Sequence, residues 1–438
     1  MATEPGSSAL AAGGRWRVLL EYAALALLLA AMALLPLTQD SIQSFDPFAV
    51  RVLLITALTI FFVAAASAGE LRGPPVGLFV LLIIFLALGV ASAVTSPHWF
   101  GSASVVLNTS LFAGGFVLAA GLLSNPLRRH LALGTLAATA VTLAVIGVAQ
   151  HLGHGWAGET VSGRVGSTYF NPNHYAGFLD LTAPLFLGIA LYARSVSLRL
   201  ACGALAALLL VNAGLTFSRG GWLAVSIACL VLVTVWTFSG LARRETRWRL
   251  AVFAAVLVMA GVAATYFIET SPRLRGDLSA RIERLLQASD PTANARFAIY
   301  GAGLQVLLDN RLSGVGPGNF SAAVAQYRPA RMEAPGAGQL HRTLTHALND
   351  YIQVAAEKGV AALIAFLGFW LAVLLVKPSP AASWLRPGVI AGIGALMLHG
   401  MVDGNLSVVP ANAFLAFVVA GLLHAPQGVS QRGGRAAE

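Results

Sequence analysis

Four short stretches carry residue types that can do chemistry. Gly163–Asp180 (GRVGSTYFNPNHYAGFLD) sets Arg164, Asn171, Asn173 and His174 around a turn that opens into an apolar run. Its amides and imidazole can meet a polar substrate, or Asn171 can simply cap the first free N–H groups of a helix. Thr216–Leu223 (TFSRGGWL) places Arg219 where two apolar runs meet with almost no loop between them. An arginine at that depth is costly and marks a functional position. Its guanidinium can fork onto a phosphate or snorkel to the headgroups, and the glycine pair behind it allows close approach of backbone or ligand.

The third stretch, Asn294–Phe320, begins with Arg296 and Tyr300 and ends in GVGPGNF. No Gly-Lys-Ser/Thr follows the glycines, so they read as a turn rather than a phosphate loop. The fourth, Leu340–Gly359 (LHRTLTHALNDYIQVAAEKG), holds His341, His346, Asn349, Asp350 and Glu357 ahead of a long apolar run. A histidine there can be a general base near neutral pH, and Asp350, four residues after His346, could orient its ring. A capping or interface histidine is the alternative. No third ligand completes a metal set, so no metal is expected.

What must position these residues is a membrane bundle. Of 438 residues, 57% are hydrophobic and 11% charged, against roughly 25% charged in soluble domains; mean hydropathy is +0.76. That excludes an ordinary soluble enzyme, a disordered chain and a disulfide scaffold. Cys202 and Cys229 both lie in apolar runs, so neither a structural disulfide nor a zinc site is expected. The net charge of +10 needs no nucleic acid, because membrane proteins concentrate Lys and Arg in cytoplasmic loops.

Apolar runs at 18–36, 48–68, 75–94, 105–123, 131–149, 175–193, 200–217, 221–238, 250–268, 351–376, 388–402 and 408–424 give about twelve spans. The first, after Arg15 and Arg17, reads as an uncleaved span rather than a signal peptide, though Ala30-Ala31-Met32-Ala33 near its end resembles a cleavage site. Twelve spans put both termini on one side. That side collects Arg15, Arg72, Arg128, Arg194, Arg243 and Lys377 among others, while the short loops opposite hold only Arg51, Arg164 and Arg219. By the positive-inside rule the termini are cytoplasmic and all four stretches face outward.

The expected organisation is a bundle over 1–268, an Arg-rich outer loop over 269–345, three spans over 346–424 and a cytoplasmic tail over 425–438. The loop has nine arginines against six acids, so it suits an anionic ligand or a lipid-facing surface. Two amphipathic stretches within it, 275–288 and 294–309, can lie in the interface plane. The second presents Phe297, Tyr300, Leu304, Leu307 and Leu308 at helical spacing.

Taken together and in order, the four stretches resemble the O-antigen ligase family, which includes related glycan polymerases. The resembling elements are the asparagine-rich turn at 169–177, SRG at 218–220, Arg296 with an aromatic at 300, GVGPGNF, and His…AsnAspTyr…GluLysGly at 346–359. The resemblance implies an all-α, polytopic transferase, similar to the GT-C glycosyltransferases, in the bacterial inner membrane with its active site facing the periplasm.

It further implies transfer of a glycan from an undecaprenyl pyrophosphate carrier to lipid A–core, without metal or other cofactor. Polymerisation onto another lipid-linked glycan is the family alternative. Arg219 and Arg296 would hold the donor pyrophosphate, and His346 would take the acceptor proton. Arg164, Asn171, Asn173, His174, Tyr300, His341, Asn349 and Asp350 would line the substrate site. The implied partners are the donor, the acceptor and membrane lipids, with no nucleic acid.

In many relatives the histidine directly precedes the Asn. Here that position is Leu348, which makes His346 the first choice of base and His341 the second. A transporter or flippase would show matching interrupted halves, and none is visible. A non-catalytic scaffold would tolerate loss of the arginines and the histidine.

Overall fold

The computed structural model describes residues 5–38, 48–158, 160, 163–239, 291–327 and 345–425. It is all-helical, with no β-strand among the described residues. The sequence dictates this: a segment in lipid must satisfy its own backbone, and a helix does so within one run.

Among the described residues, eight helices are long and apolar enough to cross a membrane. They are α1 (Pro5–Leu37), α2 (Phe48–Ala68), α3 (Val76–Thr95), α4 (Trp99–Leu122), α5 (Pro126–His151), α6 (Pro172–Tyr192), α7 (Val196–Leu215) and α8 (Arg219–Ser239). After these come α9 (Pro291–Asp309), the short α10 (Phe320–Val324), α11 (Asp350–Lys358), α12 (Val360–Leu375), α13 (Arg386–His399) and α14 (Pro410–His424). The expected span at 250–268, the stretch at 275–288 and His341 lie outside the described residues.

The bundle winds around α6, whose apolar window is 78% buried. It packs against α7, α8, α13 and α14, while α1 packs against α2, α5 and α14. The two ends of the bundle differ. At one end Arg128 bridges to Glu21 at 2.7 Å and lies over the Tyr22 ring at 4.7 Å, joining α1 to the start of α5. The other end is built from turns at 163–171, 216–218, 310–319, 345–349 and 400–409, and all four stretches meet there.

One expectation needs correcting. The run at 351–376 is not one span but two helices, broken at Gly359, whose φ of 86° only glycine adopts without strain. The break exists because the chain between α9 and α10 packs into it. Val315 N–H donates to Ala356 O, Gly316 N–H to Glu357 O, and Val360 N–H to Arg311 O, each at 3.0 Å.

Helix α9 has a second apolar face besides its expected stripe. Its buried face is Ile299, Ala302 and Val306, packed with Phe320, Val324, Ala347 and Ala356 in a satellite core. Phe297, Leu304 and Leu308 of the expected apolar stripe are exposed. Small residues let this core close, since Gly303 faces Ile352 and Phe320, and the larger side chains are turned outward.

Candidate active site

The turn at 163–171 is fixed from both sides. Gln150 Nε2 donates to Ala157 O and Ser167 O at 2.9 Å, and its Oε1 accepts Ser167 N–H at 2.8 Å. Arg164 Nε donates to Thr216 O at 2.8 Å, and its Nη2 donates to Asn173 Oδ1. The guanidinium therefore ties this turn to the end of α7. Asn171 caps α6, accepting Asn173 N–H at 2.9 Å, as the simpler reading of that residue predicted. His174 sits half-buried in the first turn of α6, with its carbonyl accepting from Asn412 Nδ2 at 2.8 Å.

The Ser-Arg-Gly-Gly turn starts α8 after Phe217, whose φ is 50°. Arg219, the first residue of α8, has an exposed side chain at the turn end of the bundle. Beneath it lies a group the sequence reading missed. His399 Nδ1 is 2.6 Å from Asp180 Oδ2, both side chains being 1% exposed. His399 Nε2 is 3.5 Å from Ser218 Oγ.

The glycine pair makes this contact possible. A Cβ on Gly220 would stand 2.8 Å from the His399 ring, and one on Gly221 3.4 Å. The allowance for close approach is thus used by a buried imidazole of α13.

The glycine turn after α9 is a structural knot and cradles nothing. Asn319 Nδ2 donates to Ser96 Oγ at 2.7 Å, Ser102 Oγ at 2.9 Å and Val315 O at 3.1 Å. Ser92 Oγ donates to Glu357 O at 2.6 Å. The buried Glu357 carboxylate accepts Gln353 Nε2 at 2.7 Å and backbone N–H groups of Gly318 and Phe320. GVGPGNF and GluLysGly thus bind each other.

The last turn holds His346. Leu348 has φ 49°, and its carbonyl accepts the Tyr300 phenol at 3.1 Å. Asn349 caps α11, accepting N–H from Tyr351 at 2.9 Å and Ile352 at 3.0 Å while donating to Met401 O at 2.7 Å. Asp350 is fully buried. Its carboxylate accepts N–H from Asn405 at 3.1 Å, Leu406 at 2.9 Å and Ser407 at 2.7 Å, with the Ser407 hydroxyl as well.

Asp350 therefore orients the loop between α13 and α14, not His346, correcting the four-residue pairing expected from spacing. The i, i+4 rule needs both residues on one helix, and His346 precedes the helix. Tyr300 and Asn349 likewise spend their polar atoms on the protein backbone.

The half-buried His346 faces His174 and the fully buried Asp403. Burial pushes its imidazole down to about 4, with the neighbouring His174 acting in the same direction and Asp403 opposing. Asp403 Oδ1 accepts Gly404 N–H at 2.8 Å, while its Oδ2 has no hydrogen-bond partner among the described residues. Tyr300 is pushed up by burial and pulled back by Arg296, one turn earlier on α9. Arg296, Tyr300, Asp403, His346 and His174 thus form one electrostatic neighbourhood, with Asp180–His399–Ser218 below it and Arg219 beside it.

Three turns of this neighbourhood contain a non-glycine residue at positive φ: Ser167, Phe217 and Leu348. Such backbone costs about 1–3 kcal/mol each and gathers where geometry serves function. No group of three His, Cys, Asp or Glu side chains suited to a metal ion occurs among the described residues.

Residues 204–367 match the family model described as O-antigen ligase. That segment is less than half of the chain but includes Arg219, Arg296 and His346, and it supports the family assignment read from the ordered motifs. No curated protein matches the chain. With eight membrane-length helices and this match, the chain is a multi-pass membrane protein related to the O-antigen ligases.

Proposed function

We propose that the chain transfers a glycan from an undecaprenyl pyrophosphate carrier to the hydroxyl of an acceptor at the outer face of the bacterial inner membrane. Lipid A–core is the proposed acceptor. The observation that carries this reading is the meeting, at one end of the bundle, of His346, His174 and Asp403 with the helices that bear Arg219 and Arg296; Arg219, Arg296 and His346 lie in the segment matched to the O-antigen ligases.

The roles follow from charge. Arg219 and Arg296 bind the pyrophosphate and stabilise it as it leaves, which is the neutralisation a metal provides in other transferases. His346 is neutral at pH 7 and accepts the acceptor's hydroxyl proton as that oxygen attacks the anomeric carbon. The bond from that carbon to the pyrophosphate oxygen breaks, and its electron pair leaves with the carrier. Asp403 stabilises the imidazolium that forms, because its charge raises the His346 proton affinity.

The test is a glycan gel from the source organism with the gene deleted, then restored as wild type or Arg296→Ala. Long polymer stranded on the carrier in the deletion identifies a ligase; single repeats alone identify a polymerase. Arg296→Ala should fail to restore the wild-type profile at normal membrane levels. An unchanged profile in the deletion would overturn the transferase and favour a transporter or scaffold.

A further inference from the structure

A cavity of about 200 Å³ lies among α3, α4, α11, α12 and α14. Its lining includes His346 and Lys358 together with Phe85, Phe366, Trp370 and Phe417. Two features set it apart from ordinary packing.

The first is Lys358. It ends α11, and its side chain is buried at 8% exposure. It runs back along α3, where Gly89 leaves room for it, a Cβ there standing 4.0 Å from the lysine Cδ. The ammonium lies 4.7 Å from the centre of the Phe85 ring. The neighbouring Glu357 carboxylate, also in the lining, is its electrostatic counter-charge. It makes no contact ion pair with Lys358 among the described residues, because it accepts from Gln353 and from the backbone of Gly318 and Phe320. A counter-charge out of contact and a ring face each supply part of what a buried ammonium needs, and an anion in direct contact would supply the rest.

The second is depth. Trp370 lies ten residues into α12 from its start at Val360, about 15 Å along the axis. The aromatic wall therefore extends away from the turns into the apolar layer. A saccharide would lose its hydration there, whereas a hydrocarbon chain is at home. The volume is below the roughly 300–1,000 Å³ of a typical ligand pocket, which suits the phosphate-proximal part of a lipid better than a whole glycan.

We propose that this cavity is a lipid-phosphate site, in which Lys358 pairs with the phosphate and the first carbons of the chain lie against Phe85, Phe366 and Trp370. It is distinct from the pyrophosphate site assigned to Arg219 and Arg296, and it does not depend on the transferase reading. The phosphate can come from an isoprenoid phosphate or from a membrane phospholipid.

The test measures lipid binding, not transfer. Full-length protein is delipidated in detergent, and binding of farnesyl phosphate, farnesol and phosphatidylglycerol is read by native mass spectrometry. Wild type should retain a phosphorylated lipid and not farnesol. Lys358→Met should weaken that binding at least tenfold, Lys358→Arg should keep it, and Arg296→Ala should leave it in place.

Preference for farnesyl phosphate identifies an isoprenoid site; equal or better phosphatidylglycerol binding identifies a resident phospholipid. Thr109→Trp, which narrows the cavity from α4 with Lys358 intact, should also lower occupancy and guards against a folding defect in the lysine variant. Equal retention of farnesol, or binding that Arg296→Ala abolishes and Lys358→Met leaves unchanged, would overturn the site.

Discussion

His346 lies in a turn and not on a helix, and this decides what it can do. Two residues of helix would rotate a side chain by about 200°, carrying it away from the position next to Asn349. In the turn, with Leu348 in a left-handed conformation, the backbone absorbs the offset and the imidazole still reaches His174 and Asp403. Its depressed pKa makes a pH prediction. The acid limb of transfer activity in the free enzyme should fall near 4 and not near the ordinary 6.5, so activity stays flat through mildly acidic pH. Asp403→Asn removes the neighbouring charge that raises that pKa, so the acid limb should move lower still, with kcat reduced. A kcat/KM profile with a limb at 6.5 in wild type would contradict both statements. The linkage has the same sign: the folded value lies below the unfolded one, so the stabilisation is present above pH 6.5 and lost as pH falls towards 4.

Arg219, Arg296 and His346 were legible in the sequence because charged residues beside apolar runs are conspicuous. Asp180, His399 and Asp403 were not. Asp180 and His399 stand 219 positions apart, each alone in an apolar run. A single acidic residue inside a span is itself a signal, but no sequence pattern says which histidine answers it. Breaking such a buried pair by removing one partner costs about 3–5 kcal/mol. Asp180→Ala should therefore lower the unfolding temperature in detergent, and Asp180→Asn, which still accepts from the ring, should lower it less.

At the scale of elements, hydropathy located the helices and failed at the break between α11 and α12. The reason is physical: Glu357-Lys358-Gly359 carries a local helix-end signal that hydropathy alone overlooks, and nothing local announces that Leu312 will pack onto the glycine. A Cβ at 359 would stand 2.2 Å from Leu312 O. Gly359→Ala meets both that clash and a φ of 86°, so it should destabilise by more than about 1 kcal/mol. Asp350→Ala tests the next joint along α11. It strands the N–H groups of Asn405, Leu406 and Ser407, at about 1–3 kcal/mol for each buried donor, and frees the loop that carries Asp403. Its signature should be loss of transfer together with a lower melting temperature, whereas Asp403→Asn should lower kcat with little change in melting. The two apolar faces of α9 follow the same rule. Periodicity gives a helix its faces, but partners choose which face is buried, and Ala302 and Gly303 admit a closer neighbour than Leu304 or Leu308 would.

At the scale of the whole molecule, the argument turns on which end faces outward. From the charge asymmetry of the loops we propose that the end with Arg128 and Arg194 is cytoplasmic and the end with the strained turns periplasmic. The two native cysteines favour a direct check, since Cys202 is buried and Cys229 half-buried, giving a low labelling background. Ser313, exposed in the turn after α9, and Ser195, exposed before α7, mark the two ends. With a membrane-impermeant maleimide added to cells with permeabilised outer membranes, Ser313→Cys should label and Ser195→Cys should label only after lysis. The opposite pattern would place the candidate site in the cytoplasm. There the same side chains could still transfer a glycan, but not to an acceptor already exported across the membrane, and the ligase reading would fall while the chemistry of Arg219, Arg296 and His346 survived it.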